Sequence, residues 1–592
     1  MSKLKLIIKN SIFKKLWNHL SKRRKIQFYL ILILIIVSSL SEIISLGAVL
    51  PFLGALSSPD QLFQHPFIQP IIQFFELTKP KQLIPVFTIF FIIVVLSACL
   101  IRLLLLYTMI KFSNAVGLDI SVSIYRSTLY QKYSIHLHRN SSEVIDATIV
   151  KTNTVIDRVL RPILIIISST IIIIGIMSML LIVNTFAALS AFITFTSLYL
   201  IVAYYSRTHL KNNSKIIAKK SIQLIKSVQE GLGGIRDIII NRTQQFYYKL
   251  YQNTDQTLRR ATGNNMFVAQ SPRYVMEAFG IIIIVILAYM ITMKENGIDS
   301  SIPILGVIAF GAQRLLPLLQ LTYSSYTSII STKKSFEDVI DLLNQPLPEV
   351  ANQLPPKPIQ FERELELRNL SFRYGHDLPW VLKNVNLLIN KGDRIGFVGE
   401  SGSGKSTLLD IIMGLLSPTN GEMTIDNKKI NTENLASWQV HIAHVPQSVY
   451  LSDESIQKNI AFGIPDDQID EERIKKVAKE AQITTLIEQS KKDHQTFVGE
   501  QGVRLSGGQL QRIGIARALY KKADFLIFDE ATSALDSKTE LKIMDAIISL
   551  NRQITVLIIA HRLTTLKNCN KIIKLNQDQT ITIGTYQELI NN

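Results

Sequence analysis

Two glycine-rich segments in the last third of the chain have the residue types and spacing to hold phosphate. Gly399-Glu400-Ser401-Gly402-Ser403-Gly404-Lys405-Ser406, followed by Thr407, fits the Walker A spacing G-x-x-x-x-G-K-[ST]. A loop of this kind between a strand and a helix turns backbone N–H groups toward an anion and adds a lysine charge. The second segment, Leu505-Ser506-Gly507-Gly508-Gln509, reads as the opening of another helix, where glycines again bring amides close to an anion and the macrodipole favours negative charge. Two cradles in one domain call for two nucleotides.

The elements needed to position these loops are legible around them. Val381 to Asn390 and Arg394 to Val398 read as strands, and the second runs into the first loop and a helix from Lys405. Phe525 to Phe528 is an apolar strand ending in Asp529 and Glu530, the Walker B pattern, with one acid for a metal and one for water. His444-Val445-Pro446-Gln447 lies between the Walker A and Walker B segments. Ser533-Ala534-Leu535-Asp536 and Ile558-Ile559-Ala560-His561-Arg562 follow Walker B, and Tyr374, in Phe372-Arg373-Tyr374-Gly375, precedes Walker A. Each alone could be a tight loop or an exposed strand end.

Together, and in this order, the motifs resemble those of the ATP-binding cassette (ABC) family over Glu364 to about Ile590. The resemblance implies a head-to-tail dimer in which Leu505 to Gln509 of one copy closes over the ATP held by Gly399 to Thr407 of the other. It also implies that Tyr374 stacks on adenine, that Ser406, Gln447 and Asp529 hold Mg2+, and that Glu530 and Gln447 act on the attacking water. His561 is then the switch histidine on the γ-phosphate and Asp536 the D-loop acid. Because Lys405, Gln447, Ser506, Asp529, Glu530 and His561 are all of the family's types, a working ATPase is expected.

Composition points to a membrane for the rest of the chain. Of 592 residues 47% are apolar, mean hydropathy is +0.23, and that length suggests more than one domain. Apolar runs at about 26–55, 84–110, 161–184, 186–206, 272–293 and 302–328 predict six spans, so both ends lie on one side. Lys3, Lys5, Lys9, Lys14, Lys15, Lys22, Arg23, Arg24 and Lys25, with no acid among them, place that side in the cytoplasm, and the cassette with it. The tail supplies half of the net charge of +18 and also reads as an amphipathic elbow helix through Leu4, Ile7, Ile8, Ile12 and Leu16. This argues against nucleic acid as a partner. The apolar run after it is too long for a secretory signal. Cys99 and Cys569 form neither a disulfide framework nor a metal-ligand pattern.

The expected organisation is an elbow segment over 1–25, a six-helix membrane domain over 26–330, a proline-rich linker over 331–357 and a cassette over 358–592. The fold class is an all-α polytopic membrane domain followed by an α/β P-loop NTPase cassette. The long charged connections 111–160 and 207–271 match domain-swapped ABC exporters, whose short coupling helices are expected near His136 to Ala147 and Asn241 to Lys249. An amphipathic helix on the outer face is expected within Ser57 to Lys81. With no internal repeat this is one half-transporter, active as a homodimer or with a related half.

Glu42, Arg102, Arg273, Glu277 and Arg314 are ionisable residues inside spans and are therefore candidate functional groups. Two readings stand: interhelical ion pairs, or an anion-accepting cavity lined by Arg102, Arg273 and Arg314. Ser41-Glu42-Ile43, Leu50-Pro51-Phe52, Pro272-Arg273-Tyr274-Val275-Met276-Glu277 and Arg314-Leu315-Leu316-Pro317 resemble the lipid-linked oligosaccharide flippases of bacterial protein N-glycosylation. That resemblance implies ATP-driven movement of a polyprenyl-pyrophosphate-linked glycan to the outer leaflet. Exporters of lipid A, other lipids, drugs or peptides share the cassette, and an ATP-gated channel or regulator shares the architecture.

Overall fold

The structure is a computed structural model that describes residues 12–183, 185–292, 298–348, 357–488, 493–499, 502–531, 535–549, 553–559 and 566–590. It divides into two compact units, one of Met1–Gln131 with Arg139–Leu347 and one of Lys132–His138 with Pro348–Asn592.

The first unit is built on six long helices, α1 (Lys22–Gly47), α2 (Leu83–Leu129), α3 (Arg161–Val183), α4 (Thr185–Gly233), α5 (Gln244–Thr292) and α6 (Ile298–Ser331). At 1.5 Å per residue, the 47 residues of α2 run for about 70 Å, against roughly 30 Å of hydrocarbon in a bilayer. The apolar runs of the sequence are thus the middles of longer helices. Among the described residues, three stretches are long and apolar enough to cross a membrane: Lys22–Leu56, Pro80–Leu129 and Ser141–Ile182.

The first expected span, 26–55, is not one helix. It breaks at Ala48 and resumes as Val49–Ser57, because Pro51 has no N–H to continue the helical ladder to Gly47. The segment expected as one outer helix forms two short ones, Pro59–Phe63 and Gln69–Phe74, separated by Pro66. Ile68 and Ile72 pack there on Ala55, Leu83 and Phe87, while Phe67 and Phe74 remain 84% and 81% exposed. Of the short helices expected between spans, the range His136 to Ala147 holds Ser141–Ile145 and the end of Tyr133–His138, the latter grouping with the second unit, whereas the second lies earlier than foreseen, at Ile235–Ile240, with a turn at Asn241 to Thr243 before α5.

Helix α7 (Lys333–Leu343) occupies the start of the segment expected as linker. Its Phe336, Val339 and Ile340 recur at helical spacing and join a core with Leu16, Phe28, Phe112, Ala147 and Leu164. Leu16 lies on the elbow helix Ile12–His19 and is 2% exposed, so the described part of the elbow covers protein core. Residues 1–11, which include Leu4, Ile7 and Ile8, lie outside the described residues. A buried ionic cluster ties α7 down. Lys151 Nζ sits 2.5 Å from Asp338 and 3.3 Å from Asp146, and the Ser221 hydroxyl donates to Asp146 at 2.5 Å.

The second unit holds two sheets. The strands are β1 (Glu364–Phe372), β2 (Leu382–Asn390), β3 (Arg394–Val398), β4 (Asn420–Ile425), β5 (Lys428–Lys429), β6 (Ile442–Val445), β7 (Phe525–Asp529), β8 (Thr555–Ile559), β9 (Lys571–Leu575) and β10 (Ile581–Gly584). The antiparallel sheet has the order β2-β1-β4-β5, and the larger sheet β10-β9-β3-β8-β7-β6 is parallel except for its β10 edge. Strand β7 shows why its sequence is apolar throughout. Phe525 and Ile527 enter the core shared with Trp438 and Phe397, while Leu526 and Phe528 enter the opposite core with Val445 and Ile513.

Replacing Lys151 by Met should leave the fully buried Asp146 without its cation and cost roughly 3–5 kcal/mol. Thermal unfolding of the purified chain should show this loss, and the Lys151→Met/Asp146→Asn double variant should regain part of it.

Candidate nucleotide site and the charged groups of the membrane domain

Parallel strands bring their C-terminal ends to one edge, so the loops after β3, β6 and β7 meet there. The loop after β3 begins at Gly399 and ends at Gly404, the residue before helix α8 (Lys405–Ile412). Gly399, Gly402 and Gly404 have φ of 151°, 81° and 96°, and a Cβ on Gly399 would lie 2.8 Å from the Leu575 carbonyl oxygen. Only glycine meets both demands. Lys405 Nζ donates to the Gly399 and Glu400 carbonyls at 2.9 and 2.8 Å, which holds the ammonium against the loop. The Ser403 hydroxyl is buried without a hydrogen-bond partner.

A cavity of about 590 Å³ opens over this loop, lined also by Tyr374, Ser406, Thr407, Gln447 and Glu530. Five of the expected contributors thus meet from four separate parts of the chain. The Tyr374 hydroxyl pairs with that of Thr407 at 3.1 Å, leaving the ring on the cavity wall. Gln447 Nε2 donates to Glu530 Oε2 at 2.5 Å. Glu530 has φ of 51°, a left-handed conformation uncommon for a side-chain-bearing residue, and its N–H donates to the Ile559 carbonyl at 3.0 Å. The turn aims Glu530 away from the strand axis, toward Gln447.

Burial raises the pKa of Asp529, a hydrogen bond from the Ser406 hydroxyl opposes that rise, and the neighbouring charge of Glu530 adds to it. Beneath it, Asp410 is pushed up to about 6 by burial and by Asp529. His444 on β6 is driven down to about 4 by burial, and its Nε2 has no hydrogen-bond partner. Carboxylate, hydroxyl and amide oxygens are hard donors suited to Mg2+. Among the described residues no three His, Cys, Asp or Glu cluster for a metal.

The segment Leu505 to Gln509 starts helix α9 (Gly507–Tyr520). Ser506 Oγ accepts from the Gln509 N–H at 3.3 Å, and Gln509 Oε1 accepts from the Ser506 N–H at 2.8 Å, a closed capping box. Leu505 packs on the helical core below. None of these five residues lines the cavity over Gly399 to Thr407. Asp536 Oδ1 accepts from the Thr539 N–H at 3.0 Å. His561, Ser533 and Ala534 lie outside the described residues.

Sequence reasoning missed two features of this site. Asp410 is one, an acid on an amphipathic helix with nothing in its spacing to mark it. The other is a cavity of about 830 Å³ on the far side of the loop, lined by Trp380 and by Lys574 to Gln579 as well as Gly399 to Ser403. Gln577 there donates to the Glu400 carboxylate at 3.0 Å. Its residues come from a hairpin with no motif.

In the first unit the structure brings two of the three singled-out arginines together. Glu42, whose side chain is 8% exposed, lies 2.6 Å from Arg314 and 3.4 Å from Arg102. Arg273 pairs instead with Glu277 one turn along α5, at 2.7 Å and in an exposed position.

Residues 382–533 match the family described as ABC transporter, and residues 27–310 match the ABC transporter transmembrane region. An ATP-dependent lipid A-core flippase of Saccharophagus degradans is 31% identical over 500 residues, covering 81% of each chain. The chain belongs to the ABC transporters. It is of the kind that fuses a transmembrane region to its ATPase cassette. The match to the lipid A-core flippase of Alkalilimnicola ehrlichii, at 32% identity, spans 62% of this chain and 61% of that protein. A leukotoxin translocation ATP-binding protein of Mannheimia glucosida is 41% identical over 43% of this ABC transporter and 35% of its own length. The fold is that of a bacterial Atm1-family ABC exporter with ATP bound, at a TM-score of 0.76 and 20% identity over 96% of both chains.

Glu530→Gln keeps the shape of the side chain and removes its basicity. Steady-state ATPase activity should fall by at least 100-fold, in the range set by loss of a general base, while ATP affinity holds. Lys405→Ala should instead weaken nucleotide binding, read by fluorescent ATP titration.

Proposed function

We propose that two copies of this chain form an ATP-driven exporter that moves a phosphate-bearing glycolipid from the cytoplasmic to the outer leaflet of the cell's inner membrane. The N-terminus and the cassette are on the cytoplasmic side in this reading. The observation that carries it is the separation of the two phosphate devices, since Leu505 to Gln509 takes no part in the cavity over Gly399 to Thr407. A second cassette facing the first in head-to-tail fashion supplies the missing half of each site. A homodimer does this with one gene product, and a related half would serve as well.

Within each site the chain's groups divide the work of phosphoryl transfer, which is mostly positioning and charge neutralisation. The Lys405 ammonium and the loop amides hold the β- and γ-phosphates, and Tyr374 offers its ring to adenine. Ser406, Asp529 and Gln447 would hold Mg2+, which neutralises phosphate charge when bound. Glu530 takes the proton of the attacking water, which Gln447 orients. His561 is assigned to the γ-phosphate, and the partner's Ser506 and Gly508 close the cradle.

For the cargo, the names of the relatives favour a lipid A-type glycolipid. A polyprenyl-pyrophosphate-linked oligosaccharide is the second reading, favoured by the membrane motifs around Glu42, Arg273 and Arg314. Arg102, Arg314 and Glu42 put charged chemistry into otherwise apolar helices, where such groups mark the path of a polar cargo.

Mixing Lys405→Ala with Ser506→Arg subunits should restore ATPase above the sum of the two homodimers, because one composite site in the mixed dimer is intact. Activity no higher than that sum, with Ser401→Cys and Ser506→Cys failing to crosslink between copies, would remove the shared-site dimer. In liposomes, ATP-dependent translocation of a fluorescent lipid A analogue should exceed that of a short-chain polyprenyl-pyrophosphate sugar and of phosphatidylcholine. The reverse order of the first two would select the second reading. Equal rates for all three would count against a glycolipid cargo.

A further inference from the structure

The apolar run of α4 ends in a different kind of surface. Phe186 to Ala203 is apolar apart from serine and threonine and spans about 27 Å as a helix, close to the thickness of a bilayer's hydrocarbon core. Tyr204 and Tyr205 follow at once and are 78% and 73% exposed. Aromatic residues with one wet end concentrate at this depth, the level of lipid headgroups. The next three turns carry Arg207, Lys211 and Lys215, and α4 has no acid at all before Glu230.

These residues line a groove of about 570 Å³, closed on one side by Lys333 at the start of α7. Lys333 lies 3.8 Å from Glu337, whereas Arg207, Lys211 and Lys215 make no ion pair among the described residues. From Arg207 to Lys215 the basic stripe rises about 12 Å along the helix. That is longer than one phosphate group, and the charge faces headgroup depth and the water beyond it. We propose that this groove binds the headgroup of an anionic membrane lipid that carries more than one phosphate. The tyrosines flank the glycerol or sugar level, and the basic residues pair with the phosphates through charge-assisted hydrogen bonds. The inference rests on α4 crossing the membrane and not on which cargo is transported, since Glu42, Arg102 and Arg314 take no part in the groove.

The test uses the full-length protein in detergent without nucleotide, titrated with dioctanoyl phosphatidylinositol bisphosphate, dioctanoyl phosphatidylcholine and inorganic pyrophosphate. The bisphosphate lipid should bind more tightly than either of the others. Each basic residue near a membrane surface contributes about a fivefold factor, so Arg207→Gln/Lys211→Gln/Lys215→Gln should lose roughly 100-fold in affinity. Lys249→Gln/Arg260→Gln, which removes exposed charge from α5, should lose nothing. If the triple variant does not fold, Lys211→Gln alone should show a loss of about fivefold. Unchanged binding in the groove variants, an equal loss in the α5 control, or pyrophosphate binding as tightly as the lipid would each overturn the proposal. Because binding is read without ATP, a failure of glycolipid export leaves this result standing on its own.

Discussion

A strand buried on both faces has only its ends for polar chemistry, and the cassette is organised by that constraint. Phe525 to Phe528 alternate between two cores, so none of these four positions can hold an ionised group without losing packing on one side or the other. Asp529 and Glu530 therefore follow where the cores stop. The same rule puts the glycine loop at the end of β3 and Gln447 beyond the end of β6. Since these strands run parallel, their ends share an edge, and groups distant in the chain become neighbours without any long-range device beyond the sheet itself.

The first unit solves the opposite problem, since its helices are apolar on most faces and any charge inside them must be matched. Glu42 is held by arginines from two other helices, and Lys151 lies between two aspartates. Buried pairs of this kind contribute little net stability compared with apolar packing, yet losing one partner is costly. They select which helices lie side by side, which apolar surface alone does poorly in a membrane where lipid is as greasy as leucine.

The cassette was legible because phosphate binding needs a contiguous backbone shape. Gly399, Gly402 and Gly404 must adopt their φ values within one loop, and a motif is what such a requirement leaves in the sequence. The charges of the membrane unit were legible as residue types but not as pairs. Glu42 is 60 residues from Arg102 and 272 from Arg314, and nothing local shows that these two share it while Arg273 turns to Glu277. Element ends were the weakest reading for a related reason. The apolar run through 26–55 has a single hydropathy, but Pro51 breaks its hydrogen bonding. Asp410 stayed hidden because its character comes from burial beside Asp529, a tertiary fact.

The capping box at Ser506 and Gln509 has a bearing on how two cassettes meet. With the serine hydroxyl oxygen accepting from the Gln509 N–H and the glutamine side-chain oxygen accepting from the Ser506 N–H, the loop has little freedom left to lose when a phosphate arrives. Association commonly sacrifices conformational entropy in each side chain and loop that it immobilises, and here that loss was incurred when the chain folded. In the proposed dimer, a rigid lid of this kind would make closure depend on whether a nucleotide is present to bridge the gap, and little on the loop itself. Opening after hydrolysis is then equally free of local rearrangement, which suits a machine that must cycle rather than hold.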